Sequence, residues 1–304
     1  MTTRQHYHAM ARPIPIILCG WLLCIQHLYA KGNEHEPLAW TAPPQEHACP
    51  DTTSYLWVSH SEGRDCVRYF PSQDLTGVPT LLVVFSGDRD QSRKLPIEDI
   101  RGNTRHLRER LAKNYAKRAG IPVAVVARPG TYGSSGDHRN RRRAREFLTM
   151  NAGLSALAER YGIARFVLLG HSGGATVAAG LLTLGRTDIH CAVLTSGAFD
   201  LMERDRRRAV AQGKEPPSDD RLKRRAYFDP LYRTEGMKAD SERRIYVLGN
   251  PRDKVTPYDL QKKFADAVAQ AGHHVELREV AAKAPNHHDL LDRTGLNTAK
   301  ECAR

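Results

Sequence analysis

The chain lacks an apolar run long enough to cross a bilayer. Its longest, residues 14–28, is broken by Pro15, Gln26 and His27, short of the ~20 apolar residues that a spanning helix needs. It also lacks a phosphate-binding loop, since no Lys-Ser or Lys-Thr follows its Gly-rich segment at the required spacing, and it lacks a dinucleotide fingerprint. No nucleotide cofactor is expected. Despite 14 histidines there is no His-Glu-x-x-His and no paired Cys-x-x-Cys. The pairs His273-His274 and His287-His288 are adjacent rather than four apart, so neither a metal nor any other cofactor is expected. Internal repeats, low-complexity tracts and long linkers are absent as well, which leaves one catalytic-sized domain of residues 31–304.

Acidic residues are missing from the first 30 positions, which instead hold Arg4, Arg12, the apolar run and a small residue, Ala30, before polar sequence begins at Lys31. That order reads as a cleaved signal peptide, with an equally good start at Met10. Export, to a periplasm or to the outside, is the expectation, with no stable membrane span afterwards. The net charge of +12 falls only to +10 when Arg4 and Arg12 leave, so the mature chain is basic. The charges are scattered rather than striped, which does not suit a nucleic-acid groove. The densest runs, residues 141–143 and 206–208, read as solvated helical faces.

Of six cysteines, Cys19 and Cys24 lie in the leader, and neither follows the small-residue pair of a lipid-attachment site. Cys49, Cys66, Cys191 and Cys302 remain, an even number in a chain bound for an oxidising compartment. Three pairings are possible. The favoured one joins Cys49 to Cys66 as a local staple and Cys191 to Cys302 as a tie between the last helix and the sheet; free core thiols are the alternative.

Residues 55–60 and 66–70, joined by Ser61-Glu62-Gly63, predict an opening hairpin. Apolar runs then alternate with helical stretches: 80–85, helix 104–119, 122–127, helix 141–161, 166–169, helix 175–184, 191–195, 245–248, a helix from 258, 275–280, and a last helix from 289. Apolar runs without period-two alternation suit strands covered on both faces. The fold class is therefore α/β, a mostly parallel sheet flanked by helices. Residues 201–240, rich in Arg and Lys and carrying Pro216-Pro217, break the rhythm and read as a short helical cap insertion.

The sharpest signal is Gly170-His171-Ser172-Gly173-Gly174, between a predicted strand and a predicted helix. Gly-x-Ser-x-Gly in a strand-turn-helix setting places a serine on a strained turn with its hydroxyl projecting, and the glycines relieve the crowding. The helix N-terminus that follows can stabilise developing negative charge. From about Thr80 onward the chain resembles the α/β-hydrolase family of esterases, lipases and peptidases. That resemblance implies Ser172 as nucleophile, an acid after a later strand and a histidine after the last one.

Gly249-Asn250-Pro251-Arg252-Asp253-Lys254-Val255-Thr256-Pro257 follows the 245–248 run and offers Asp253 as the acid, with Asp259 a weaker rival. Asn286-His287-His288-Asp289 follows the last strand. His287 is the expected base, because the first histidine of such a loop usually begins the turn in this family, and His288 is the alternative. The order Ser, Asp, His matches the family. The resemblance also implies an oxyanion hole from the N–H of Gly173 and one from the loop Phe85-Ser86-Gly87-Asp88, with Gly87, Asp88 or Arg89 as the second donor. The segment 128–136 resembles the family's Gly-rich loop.

The expected activity is hydrolysis of a carboxylic ester or related acyl bond through an acyl-enzyme, on a small-molecule substrate. Two readings compete: a small aminopeptidase-like serine peptidase, and a non-catalytic binding protein on a hydrolase fold. The polar, basic character of 201–240 and 87–93 makes an anionic substrate conceivable.

Overall fold

The computed structural model describes Met1, residues 34–50 and residues 52–303. The expected signal peptide and its two cysteines lie outside the described residues.

Residues 35–304 form one compact unit. Strands β1 (Tyr55–His60) and β2 (Gly63–Pro71) make the hairpin, followed by β3 (Thr80–Phe85), α1 (Arg105–Ala119), β4 (Val123–Val126), α2 (Ala144–Tyr161), β5 (Arg165–His171) and α3 (Gly173–Thr183). Then come β6 (Ile189–Thr195), α4 (Leu201–Ala211), α5 (Asp219–Lys223), β7 (Arg244–Gly249), α6 (Tyr258–Gln270), β8 (Val275–Glu279) and α7 (Leu296–Cys302). The eight strands form one sheet in the order β1-β2-β4-β3-β5-β6-β7-β8. The two pairings made by β2 are antiparallel and all others are parallel.

The continuous apolar runs are explained by what covers them. All four residues of β4 and the last five of β3 are buried, because side chains alternate to two faces and each face carries its own core. One core layer joins the sheet to α2, α3 and α6 through Met150, Leu154, Val177, Leu181, Phe264 and Val268. The other joins it to α1 and α7 through Ala112, Tyr115, Leu296 and Ala299. Burying each large aliphatic side chain contributes about 1.5–3 kcal/mol.

Helix ends follow local chemistry. The Thr104 hydroxyl accepts from the Leu107 N–H and starts α1, and Gly120 ends it in the left-handed region at φ 76°. α2 starts at Ala144, not at 141, because Arg142 takes φ 64° and breaks helical continuity before it. The last helix is also shorter than expected: a wide turn, Leu291–Gly295, precedes α7.

Cys49 is bonded to Cys66, and Cys191 to Cys302. The first bridge fastens the lead-in to β2; the second fastens α7 to β6. Among the described residues no helix is long and apolar enough to cross a membrane.

The register fixes where the site lies. Phe85 pairs with Gly170, His171 and Leu248 both pair with Thr195, and Gly249 pairs with Glu279. The loops after β3, β5, β6, β7 and β8 therefore leave from the same edge, the carboxyl end of the parallel strands, where open α/β sheets bind ligands.

Candidate active site

Ser172 follows β5 with φ 54° and ψ −119°, a conformation that L residues rarely adopt. Its N–H donates to the Thr195 carbonyl at 2.9 Å and its carbonyl accepts from the Ala175 N–H at 3.0 Å, so the turn is locked from both sides. The glycines are required by close approach: a Cβ on Gly170 would lie 2.4 Å from the Gly174 carbonyl oxygen, and one on Gly174 would lie 2.1 Å from that of Phe85. The loop after β3 is pressed against this turn, since a Cβ on Gly87 would come within 3.2 Å of the Ser172 Cβ. The N–H of Gly173, first residue of α3, belongs to the free donors of a helix start.

Asp253 lies in the loop after β7. Its Oδ1 accepts the backbone N–H groups of Val255 (2.8 Å) and Thr256 (2.9 Å), and its Oδ2 accepts the Thr256 hydroxyl at 2.9 Å. Nδ1 of His288 lies 2.8 Å from the same Oδ2. Burial works to raise the Asp253 carboxyl, but the His288 hydrogen bond and charge, with the two backbone donors, outweigh it and hold it below its ordinary value. Asp259, the rival acid, sits on α6 and pairs with Arg207 at an exposed position.

The expectation that His287 faces the acid is corrected. His287 takes φ 51° and its Nδ1 lies 3.0 Å from the Ala282 carbonyl. This left-handed residue reverses the chain, so the following side chain, His288, turns back toward Asp253. The Ser196 hydroxyl donates to the His288 carbonyl at 2.6 Å and fixes that loop to the end of β6. With Oδ2 of Asp253 accepting the Nδ1–H of His288, Nε2 of His288 is left as an acceptor. Ser172 and His288 line one cleft of about 1230 Å³, together with Gly87, Asp88, His171 and residues of α1 and α4.

His171 is half-buried beside this pair and lines the same cleft, its ring centroid 4.8 Å from that of His288. With the Thr195 hydroxyl donating to the Gly170 carbonyl, Nδ1 of His171 donates to Thr195 Oγ1 at 3.0 Å. Burial, reinforced by the nearby His288 and Arg89, pushes this imidazole down to about 3, so it is neutral.

Asp88 contributes more than a backbone group. Its carboxylate packs on Gly173, where an added Cβ would meet Oδ1 at 2.1 Å. Arg128 Nη1 approaches Oδ1 at 2.9 Å, while Arg141 Nε (3.2 Å) and Arg142 reach Oδ2. Arg128 also pairs with the buried Glu146 at 2.7 Å. Burial would raise the Asp88 carboxyl, but the three guanidiniums hold it well below the usual carboxylate range. The run 141–143 is thus not a solvated helical face: Arg142 is buried and aimed at the loop beside Ser172. Sequence reasoning missed Arg128, Arg142 and Glu146 because they meet Asp88 only through tertiary contacts. Among the described residues no cluster of His, Cys, Asp or Glu is placed to hold a metal ion.

No protein-family model matches this sequence, and no curated protein sequence matches it either. Solved structures do. An esterase of Pyrococcus furiosus superposes with a TM-score of 0.57 at 14% identity over 87% of this chain and 97% of its own. An esterase of Pyrobaculum calidifontis gives 0.54 at 14% identity, over 83% and 85%. An acylaminoacyl peptidase of Pyrococcus horikoshii gives 0.52 at 15% identity, covering 82% of this chain but 40% of that one. Together with the eight-stranded order, these matches establish the α/β-hydrolase fold. At this level of identity the likeness speaks to architecture, and chemistry must be argued from the side chains.

Proposed function

We propose that this protein is a serine hydrolase that cleaves a carboxylic ester or related acyl bond of a small molecule, with Ser172, His288 and Asp253 as its triad. The observation that carries this reading is the Asp253–His288 pair, 2.8 Å apart, lining the same cleft as a serine on a strained strand-to-helix turn. Nε2 of His288 takes the proton as Ser172 Oγ attacks the acyl carbonyl, and Asp253 stabilises the imidazolium. The tetrahedral oxyanion is held by the N–H of Gly173 and an N–H of the Gly87-Asp88 loop. Collapse breaks the bond to the leaving oxygen, which receives the proton from His288. Water then adds to the acyl-enzyme by the same route and releases the acid and Ser172.

Residues 201–240 act as a cap, with α4 bordering the cleft through Arg204, Arg207 and Arg208. Two disulfides suit an oxidising compartment and support export. The structural similarity to an acylaminoacyl peptidase favours amide cleavage as the second reading.

Labelling with a fluorophosphonate tests the proposal. Wild-type protein is expected to label and Ser172→Ala is not. Comparison of p-nitrophenyl esters with aminoacyl anilides then ranks the two readings: rapid anilide cleavage with poor ester turnover would favour the peptidase. A folded wild type that does not label would favour a non-catalytic binding protein.

A further inference from the structure

Every guanidinium packed around Asp88 has a carboxylate. Arg128 has Asp88 and Glu146, Arg141 has Asp88 and Asp90, and Arg142 has Asp88. Three other arginines of the same cleft differ. Arg89 follows Asp88 in the loop after β3, Arg108 lies on α1 and Arg204 on α4, and all three line the cleft that holds Ser172 and His288. None pairs with a carboxylate among the described residues, and in each the Nε is buried without a hydrogen-bond partner. Arg108 and Arg204 are 6% and 7% exposed, which makes them nine-tenths buried cations facing a void.

That arrangement is costly. A buried charge loses its hydration and ordinarily recovers the loss from a paired carboxylate. Arg108 instead rests against aromatic faces, its guanidinium carbon 4.2 Å from the Tyr132 ring centroid, a weaker compensation. Burial lowers the Arg204 guanidinium to about 10 and the nearby Arg142 adds to the effect, while Asp88 and Asp205, close enough to act by charge but not paired with it, only partly offset this. Burial lowers Arg108 too, with Arg89 contributing as a like charge. The remaining cations of the cleft make a contrast: Arg207 is exposed and answered by Glu203 and Asp259, and Arg101, Arg208 and Lys254 are exposed to solvent. The unpaired guanidiniums of Arg108 and Arg204 sit where solvent is excluded, with the half-buried Arg89 beside the same cleft.

We propose that Arg89, Arg108 and Arg204 form an anion subsite in the cleft, and that the ester cleaved at Ser172 carries a carboxylate or phosphate on the part seated there. The substrate class rests on the hydrolase reading above; the subsite itself does not. A guanidinium presents five N–H donors in a planar fork that suits either anion, and no carboxylate among the described residues pairs with these three. A cleft of about 1230 Å³ accommodates both the anionic end and the scissile bond of a small substrate.

The test compares 4-nitrophenyl butyrate with the glutarate hemiester of 4-nitrophenol, which differs in its terminal carboxylate. Wild type is expected to prefer the hemiester in kcat/KM, and Arg204→Gln and Arg89→Gln are each expected to lower the hemiester-to-butyrate ratio roughly tenfold or more, chiefly through KM. Arg204 is also a buried side chain of α4, so Arg89→Gln, in a loop, serves as the variant that leaves the helices alone. An unchanged ratio in both variants, or a wild-type preference for butyrate, would overturn the proposal. Isothermal titration of glutarate and of inorganic phosphate into Ser172→Ala separates this idea from the hydrolase reading. Binding lost in Ser172→Ala/Arg204→Gln supports the subsite even if wild type hydrolyses nothing, and the tighter of the two ligands identifies the anion. Absence of binding by either ligand rejects the subsite while leaving esterase activity standing.

Discussion

Nδ1 of His288 lies 2.8 Å from Oδ2 of Asp253, while His287, one residue earlier, is turned to the Ala282 carbonyl. The two imidazoles therefore have separable consequences. His288→Ala is expected to lower kcat/KM by about 10³-fold or more, and Asp253→Asn by a comparable factor through loss of tautomer control. His287→Ala is expected to stay within about threefold of wild type, since it touches neither the acid nor the reacting group. Steady-state kinetics on a p-nitrophenyl ester decide it, and the reverse ranking would return the base to His287.

Why the sequence left this open is a matter of one dihedral. Adjacent histidines in a loop point apart, and which of them faces the acid depends on the φ of 51° at His287, which no periodicity encodes. The Ser172 turn was legible because Gly-x-Ser-x-Gly falls between an apolar run and a helical stretch, although of its glycines only Gly170 is required by a local contact and Gly174 answers to Phe85, and Asp253 was legible because its loop immediately follows a strand. The strands were legible as apolar runs; the helix starts less so, since Arg142 ends one conformation and Ala144 begins another. Arg204 was not legible in the sequence: Arg207 and Arg208 lie three and four positions further on, on the same side of α4, and all three line the cleft, so that spacing does not tell the buried Arg204 from its exposed neighbours.

Removing the charge of Asp88 leaves Arg128, Arg141 and Arg142 crowded together, with Glu146 beside Arg128 and Asp90 beside Arg141 as the remaining counter-charges. Breaking a buried ionic cluster by deleting one partner typically costs about 3–5 kcal/mol. Asp88→Asn is therefore expected to lower the melting temperature by about 10 °C, measured by circular dichroism at neutral pH. It should also lower kcat, because the loop beside Gly173 loses its anchor. A shift of less than about 2 °C would show that the cluster does not hold the loop.

Acid sensitivity follows from two imidazoles, one buried (His138) and one half-buried (His171). Burial holds His171 and His138 at about 3, against an ordinary value near 6.5, so both are neutral in the fold and protonated in the unfolded chain at intermediate pH. Their contribution is complete above pH 6.5, is lost as pH falls from 6.5 toward 3, and changes no further below that. Between pH 6.5 and 5 each loses about 2 kcal/mol. Asp229, raised by burial to about 6, works in the opposite direction, gaining about 1 kcal/mol over the same window. The imidazoles win, and denaturant unfolding is expected to show stability falling from pH 6.5 to 5. His171→Asn, whose amide can still donate to Thr195, should flatten that slope; an unchanged slope would locate the acid sensitivity elsewhere.

The two disulfides should contribute unequally. Cys49–Cys66 closes a separation of 17 residues and Cys191–Cys302 one of 111. On the loop-entropy argument the long bridge restricts the unfolded chain more, about 4.7 kcal/mol against about 3 for the short one. The long bridge also has a structural consequence that the short one lacks, because it fixes α7 beneath β6. The wide turn that leads into α7 begins three residues after His288, with Leu291 buried at the rim of the cleft. The double variant Cys191→Ala/Cys302→Ala is therefore expected to unfold at lower guanidinium concentration than Cys49→Ala/Cys66→Ala, and to lose ester hydrolysis earlier on warming. Equal midpoints would mean that the unfolded chain is already compact across the 111-residue span, so that cross-linking it removes little further freedom.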